Sequence, residues 1–500
     1  MESPGIAADH GPGFAERVRS ALIWRWGSQV VAQLISWTAT ILVVRLLVPH
    51  DYGLFAMTQT VLVALNFLNG YGFASTLIQT RDPDRRRIGQ AFGLLLLANG
   101  LLAAVQIAAA PLAADYYGQP LVATMLRVQA LIYLTTPFIA LPSALLARRL
   151  DFRRQALINL VCACFGGLVA VGLAWSGHGV WALVWSPIAV FSTRAVALTI
   201  TAGTLVKPVF DFRGARDMIG FGTAMMMCQL LWIVQSQADI VVAGRIFTPH
   251  DLGLYSESLF LALIFTGRFL PPLNEVAFPA YSELVNAGEP LGPVFLSGMR
   301  LIMLIAAPFY VGLSLVAGPL VGTFFGPKWL EMTPILAGLA LAMPAMTLQI
   351  ACAPATNALG RPRIYVLSSV AGATIMPLCF AWGAHHGASG LVDAWHLAAP
   401  ALLAVTLAMT LPPLGVSLLA LARALAPIGF ACLAMALVVW EVDRLLPPLS
   451  APERLGLLVA AGAPVYLGAI TLLAPAVIRD TWARLRPARP GKRVSDVSPA

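Results

Sequence analysis

The 500-residue chain is 59% hydrophobic and only 11% charged, where soluble domains average about 45–50% and about 25%. So little charge cannot cover a water-facing surface, which excludes a cytosolic enzyme, a disordered chain and a secreted disulfide scaffold and calls for a lipid bilayer as second solvent. The net charge of +9 is a matter of topology and not of nucleic-acid binding, because the basic residues sit in short segments between apolar runs.

The chain opens with residues 1–20, a Gly-, Pro- and Ala-rich stretch that reads as a cytoplasmic tail. A spanning helix needs about 20 mostly apolar residues. Fourteen such runs follow, near 21–47, 52–78, 88–112, 120–147, 155–176, 179–203, 218–244, 252–284, 293–318, 330–358, 364–384, 388–411, 421–441 and 454–478. All are read as helices, because an open sheet cannot satisfy its backbone in lipid and the runs lack the alternation of a membrane barrel. The first is not a removable signal: Trp24-Arg25-Trp26 interrupts its start, the apolar run is too long, and no small-residue cleavage site follows. The fold class is therefore an all-α integral membrane protein with about 14 transmembrane helices.

Spans 1–6 occupy residues 21–203 and spans 7–12 residues 218–411. A polar linker at 204–217 carries Lys207, Pro208, Arg213, Arg216 and Asp217, with some amphipathic character. Spans 13–14 fall in 412–478, and a basic tail covers 479–500. Of the 32 Lys/Arg, 24 fall on one set of alternate loops and 5 (Arg45, Arg245, Lys328, Arg444, Arg454) on the other when fourteen spans are drawn. The positive-inside rule places the basic set, and both termini, in the cytoplasm. The six cysteines, Cys162, Cys164, Cys228, Cys352, Cys379 and Cys432, all lie in apolar runs. They read as small buried hydrophobes rather than a metal or redox site. No cofactor or metal is expected.

The chain repeats itself. Arg45-Leu46-Leu47-Val48-Pro49-His50-Asp51-Tyr52-Gly53-Leu54-Phe55 returns 200 residues later as Arg245-Ile246-Phe247-Thr248-Pro249-His250-Asp251-Leu252-Gly253-Leu254-Tyr255, and Gln29 and Ser36 return as Gln229 and Ser236. His178-Gly179-Val180 echoes as His386-Gly387-Ala388. An even number of spans separates the copies, so they share one orientation. They are parallel repeats about an axis along the membrane normal: two six-helix lobes plus two extra C-terminal helices, with a central cleft suited to alternating access.

Residues 22–80 resemble the opening of the oligosaccharide-lipid flippases, the polysaccharide-transporter branch of the multidrug/oligosaccharidyl-lipid/polysaccharide exporter superfamily. Gln29, Gln33, Arg45-Leu46-Leu47-x-Pro49-x-Asp51-Tyr52-Gly53-Leu54-Phe55, Gly72 and Ile78-Gln79 carry the resemblance, with Arg148-Arg149-Leu150-Asp151-Phe152 after span 4. It extends over about residues 20–410. It implies a protein that moves undecaprenyl-diphosphate-linked sugar repeat units from the inner to the outer leaflet of the bacterial plasma membrane. Its motifs are loop and packing signatures without catalytic residues.

Polar groups inside the spans mark candidate function, since an ionisable side chain at the bilayer centre costs roughly 2.5–3.5 kcal/mol on insertion scales. Arg268 lies near the middle of span 8. Glu257, Arg268 and Glu275 fall on one face of a 3.6-residue helix, with Asn274 beside them, and Pro271-Pro272 interrupts it. Span 7 presents Trp232, Gln235 and Asp239; span 1 presents Arg25, Gln29, Gln33, Trp37 and Thr40; span 2 presents Gln59, Asn66 and Asn69. Arg127 and Arg194 complete the set. A guanidinium, foremost Arg268, matches a diphosphate as a fork, while Gln, Asn and Trp suit sugar hydroxyls and ring faces. Arg268 can equally pair with Glu257 or Glu275 as a structural ion pair, and Arg25 can snorkel to the cytoplasmic interface. Asp239, Glu257 or Glu275 can carry a coupling proton or sodium ion, though Asp239 and Glu257 near the outer end can also be solvated carboxylates. Arg45 and Arg245 read as helix-end anchors, and His178, His385 and His386 as turn residues.

The leading expectation is a flippase of the bacterial inner membrane, with a lipid-linked oligosaccharide as substrate and a polysaccharide polymerase and glycosyltransferases as pathway partners. A cation-coupled multidrug exporter of the same superfamily is the near rival. A membrane glycosyltransferase or polymerase is the more distant one, because it usually needs a large outer loop. The chain shows no Gly-rich phosphate loop, zinc-pair spacing or hydrolase elbow, so it is not read as an enzyme.

Overall fold

The computed structural model describes residues 31–66, 85–148, 152–203, 206–211 and 216–475. Among them all regular structure is helical and no strand occurs. The helices are α1 (Val31–Leu46), α2 (Pro49–Asn66), α3 (Arg85–Tyr117), α4 (Pro120–Gln129), α5 (Leu131–Thr135), α6 (Pro137–Arg148), α7 (Phe152–Trp175) and α8 (Trp181–Ala202). They continue as α9 (Arg216–Ile246), α10 (Pro249–Ala262), α11 (Ile264–Arg268), α12 (Leu270–Asn286), α13 (Leu291–Leu315) and α14 (Ala317–Phe324). A 3-10 helix, Pro327–Met332, precedes α15 (Thr333–Ala351), α16 (Ala353–Ala358), α17 (Pro362–Ala384), α18 (Gly387–Leu414), α19 (Leu418–Leu445) and α20 (Ala451–Leu473).

Among the described residues, ten helical stretches are long and apolar enough to cross a bilayer. The other four expected spans coincide with the helices α1, α2, α9 and α10–α12, which do not meet that measure within the described residues. Span 4 runs through α4–α5–α6 as one stretch, Pro120–Leu146, with Ala130 and Thr136 in helical conformation. One expected span is interrupted. Span 8 is α10–α11–α12, broken at Leu263 and Phe269. The Pro271-Pro272 pair does not sit at the break itself. Pro271 lies in the first turn of α12, where a missing N–H costs nothing.

Packing divides the chain into two compact units along a different line from the sequence repeat: residues 1–261, 324–335 and 369–398 in one, and 262–323, 336–368 and 399–500 in the other. In the first unit, Phe92 and Leu95 of α3 pack on Leu141 and Ala144 of α6, and Ile139 and Leu146 of α6 meet Leu198 and Ala202 of α8. Residues 206–211, without regular secondary structure, lie across the start of α3. The Val209 amide donates to the Gly89 carbonyl at 2.9 Å, the Gln90 amide side chain donates to the Asp211 carbonyl at 2.7 Å, and Arg86 pairs with Asp211 at 2.7 Å. Gly89 and Gly93 make the room: a Cβ on Gly93 would overlap the Val209 carbonyl oxygen. This docked strap is the described part of the linker expected at 204–217; residues 204–205 and 212–215 lie outside the described residues.

In the second unit, Tyr281 of α12, Phe295 and Met299 of α13, Cys352, Leu407 and Leu421 form one apolar core. α19 and α20 make a hairpin clamped by Arg454 on Asp443 at 2.7 and 2.8 Å. Tyr466 fastens α20 to α13 by donating to the Leu304 carbonyl at 2.7 Å. The extra C-terminal pair thus rests on α13.

Candidate functional site

The two copies of the repeat fold alike. α1 ends at Leu46 and α9 at Ile246. Two non-helical residues follow each, and α2 and α10 start at Pro49 and Pro249. Proline suits the first helical position, and an acid in the first turn answers the unpaired amides there. Asp51 accepts from the Val48 amide at 3.4 Å; Asp251 accepts from the Thr248 hydroxyl at 2.8 Å, and its own amide donates back to that hydroxyl at 3.2 Å. The glycine of each copy meets the other copy: a Cβ on Gly53 would overlap the Pro249 carbonyl, and one on Gly253 would overlap that of Pro49. Arg45 donates from Nε to the Phe324 carbonyl at 3.0 Å, and the Arg245 guanidinium lies 5.0 Å over the Tyr116 ring.

On α9 the expected stripe is divided. Trp232 is exposed, Gln235 packs against Gly372 of α17, and Asp239 is 1% exposed. Asp239 ends a buried chain of donors. Trp395 Nε1 donates to the Tyr255 hydroxyl at 2.8 Å, that hydroxyl donates to Asp239 Oδ2 at 2.9 Å, and the Ile240 amide donates to Oδ1 at 2.8 Å. No cation takes part in this chain. Sequence reading singled out Asp239 but missed Tyr255 and Trp395. The signal lay in the repeat itself: the positions equivalent to Asp239 and Tyr255 are Ala39 and Phe55. Both polar groups stand only in the second copy, and they bond to each other.

Glu257 is half-buried on α10, with no ion pair or hydrogen bond among the described residues. Arg268 is the last residue of α11, exposed, and likewise without an ion pair among the described residues. A Cβ on its neighbour Gly267 would meet nothing within 4 Å, so this break faces open space. Asn274 is half-buried and Glu275 exposed on α12. Three successive helical segments carry Glu257, Arg268 and Glu275. Arg268 and Glu275 do not make the expected structural ion pair.

In the first repeat, Gln33 is half-buried and Trp37 47% exposed on α1, and Gln59 is half-buried on α2. Arg127 is exposed in the last turn of α4. Arg194 is half-buried on α8, with its Nε buried and unpartnered. No hydrogen bond joins any of these to another candidate among the described residues. Arg25, Gln29 and Asn69 lie outside the described residues, as does the side chain of Asn66. Sequence reading also missed Gln129, whose amide is fully buried with neither atom partnered.

The described geometry is that of polar groups exposed at breaks in apolar helices, with no cluster able to hold a metal among the described residues. Residues 42–334, more than half of the chain, match the family of polysaccharide biosynthesis proteins. The chain belongs to that family. It is 26% identical over 308 residues to the succinoglycan biosynthesis transport protein ExoT of Rhizobium meliloti, covering 61% of each. It is 24% identical over 273 residues to the teichuronic acid biosynthesis protein TuaB of Bacillus subtilis, covering 54% of this chain and 56% of that one. To the lipopolysaccharide biosynthesis protein WzxC of Escherichia coli it is 19% identical over 327 residues, covering 64% and 66%. The chain thus spans less than two thirds of the length of each of these relatives.

Among solved structures, the lipid II flippase MurJ in an inward closed conformation superposes with a TM-score of 0.74 at 12% identity, covering 91% of this chain and 100% of that one. An inward-facing multidrug resistance MATE family transporter gives 0.60 at 11% identity, covering 80% and 99%. At such identities the likeness is one of fold. With ten described helical stretches long and apolar enough to cross a bilayer, the chain is a multi-pass membrane protein of the polysaccharide biosynthesis family, with a fold like that of these solved structures.

Proposed function

We propose that this protein is a flippase that carries an undecaprenyl-diphosphate-linked oligosaccharide from the inner to the outer leaflet of the bacterial inner membrane, for assembly of an exported polysaccharide. The observation that carries the reading is Arg268: a guanidinium without an ion-pair partner among the described residues, exposed beside open space where an apolar span is interrupted. Facing acyl chains, it would be a large uncompensated cost; facing an aqueous passage, it is a ready anion site. Its fork geometry suits a diphosphate. The names of the relatives support the substrate class, since succinoglycan, teichuronic acid and lipopolysaccharide share only the building of a polysaccharide.

In this reading Arg268 holds the diphosphate. Gln33, Gln59, Asn274 and Trp37 meet the sugar, with Arg25, Gln29, Asn66, Gln235, Arg127 and Arg194 as further contacts. The lipid tail stays in the bilayer. Two lobes, 21–203 and 218–411, rock about the site to expose it to either side in turn, with both termini in the cytoplasm. Asp239 or Glu257, with Glu275 as a third acid, carries the coupling proton or sodium ion. Of these, Asp239 is already oriented by two donors. A polymerase and glycosyltransferases act before and after it.

The test is reconstitution. Purified protein in vesicles carrying a fluorescent undecaprenyl-diphosphate oligosaccharide is expected to move label across the bilayer, with Arg268→Ala strongly impaired. The buried Asp239 chain and the likeness to a drug transporter favour a cation-coupled multidrug exporter as second reading. Ion-driven movement of cationic dyes without movement of the lipid-linked sugar would establish that exporter and overturn the flippase.

A further inference from the structure

The duplicated Arg-x-x-x-Pro-His-Asp-x-Gly-Leu segment is the strongest pattern in the sequence, and the transport reading gives it no task. We infer that its two copies and the 3-10 helix Pro327–Met332 form a latch that shuts the outer end of the passage, and that transport requires this latch to open. The inference rests on the flippase reading for what passes, and on contacts within the first packing unit for how the latch is made.

The first layer is the glycine crossing. Gly53 and Gly253 each abut the proline carbonyl of the other copy, with no side chain between. This reciprocity is that of two elements related by a twofold axis. Packing, not ionic bonding, sets their approach, so the two helix starts separate without stranding a charge.

The second layer is Trp329. It is fully buried, its ring edge-on to Tyr52 at 5.2 Å and to Phe325 at 5.7 Å, and its Nε1 donates to the Val44 carbonyl at 3.0 Å. Lys328 Nζ lies 3.4 Å from the Leu46 carbonyl, and Arg45 reaches the Phe324 carbonyl. Val44 and Leu46 belong to the last turn of α1, whose carbonyls have no amide four residues on to accept from. Residues distant in the chain satisfy them.

The third layer ties the same short helix to the second copy. His250 Nε2 lies 3.2 Å from Glu331 Oε2, and the Ser258 hydroxyl reaches the Met332 carbonyl at 3.4 Å. Residues 327–332 therefore grip the first copy through Val44, Leu46 and Tyr52 and the second through His250 and Ser258. These are the pieces that alternating access must part. When they part at an aqueous end, water takes over the released carbonyls of α1. A joint of this design can open there but not in the hydrocarbon.

The experiment uses the full chain with its six cysteines replaced. Leu46→Cys with Lys328→Cys is bridged by a short bifunctional thiol reagent that a reductant cleaves. Bridging is expected to slow movement of the lipid-linked oligosaccharide about tenfold or more, since it removes the open state, and reductant to restore it. A control bridge, Asp443→Cys with Arg454→Cys on the α19–α20 hairpin, is expected to change nothing. A bridged Leu46/Lys328 protein that transports at its unbridged rate overturns the latch.

Spin labels on the same two positions read the latch without any substrate. Gly53→Leu is expected to add a longer-distance population. Trp329→Phe, which keeps the ring and loses only the Nε1 donor, is expected to do so more mildly should the leucine variant misfold. One short distance in wild type and both variants overturns the latch. Two distances with no movement of lipid-linked sugar keep the latch and remove the flippase reading instead.

Discussion

Arg268→Ala separates function from folding more cleanly than any other substitution in this chain. The side chain is exposed, lies at the C-terminal end of the five-residue α11, and has no ion-pair partner among the described residues. Its removal therefore breaks no packing or ion pair, and stability should stay within about 0.5 kcal/mol of wild type. Against a bound diphosphate the guanidinium would make charge-assisted bonds worth about 1.5–3 kcal/mol, so the alanine variant should lose about 10- to 150-fold in apparent affinity or rate. Arg268→Lys keeps the charge but not the fork and should lose less. Both are read as the initial rate of fluorescent oligosaccharide movement in vesicles, alongside the thermal unfolding midpoint of the purified protein. An alanine variant that moves substrate at the wild-type rate would refute Arg268 as the diphosphate site. A variant that is slow only because it unfolds would refute the claim that the side chain stands free.

Four further outcomes are expected. Tyr255→Phe leaves both Trp395 and Asp239 short of a buried partner and should cost about 1–3 kcal/mol, read by chemical denaturation. Adding Asp239→Ala, which recreates the Ala39/Phe55 pair of the first copy, should recover part of that loss because both ends of the bond are then apolar; if Asp239 carries the coupling ion, transport stays lost, and ion-dependent transport in the double variant would dismiss that role. Gly93→Val drives a side chain into the Val209 carbonyl and should release the strap at 206–211, so that limited proteolysis between residues 204 and 217 speeds up about tenfold as roughly 1 kcal/mol per released bond is lost; unchanged cleavage would show that the strap is not held there. Asp443→Asn breaks a part-exposed ion pair with Arg454 and should cost only about 0–1 kcal/mol, with transport unchanged; a large loss would mean that the hairpin takes part in the cycle.

The broad architecture was legible because lipid leaves a sequence few choices. Long apolar runs must become helices, and helices stand at the predicted places wherever the chain is described. What could not be read was where a run stops being one rod. Span 8 shows this best. Pro271 and Pro272 advertise a break, and one stands just before them: the preceding helix ends at Arg268 and α12 starts at Leu270 with Pro271 in its first turn, whereas the interruption at Leu263 has no such signal in the sequence. The helical register that put Glu257, Arg268 and Glu275 on one face runs across both of these interruptions. The strap was missed for a related reason: Gly89 and Gly93 look like ordinary small residues of a membrane helix until the chain that lies across them is seen.

The repeat was read as evidence of symmetry, and its conserved positions do build symmetric scaffolding: the proline start, the acid in the first turn and the glycine crossing recur in both copies. The chemistry lies where the copies differ. Ala39 and Phe55 in the first copy are apolar and ask for nothing, whereas Asp239 and Tyr255 in the second form a buried bonded pair completed by Trp395. A buried carboxylate is costly unless it is bonded, so one polar substitution alone would burden the second copy; the acid and the tyrosine are tolerable together. In the proposed reading with the coupling ion on Asp239, the first copy, which has Ala39 there, offers no equivalent place for it. A protein with two such places would bind ions on both sides of the axis, so the ion stoichiometry per transported lipid, measured in vesicles, is expected to be set by the second copy alone. Insertion of Ala39→Asp with Phe55→Tyr should then add an ionisable site without adding to transport, and a doubled ion requirement in wild type would show that the asymmetry has no role.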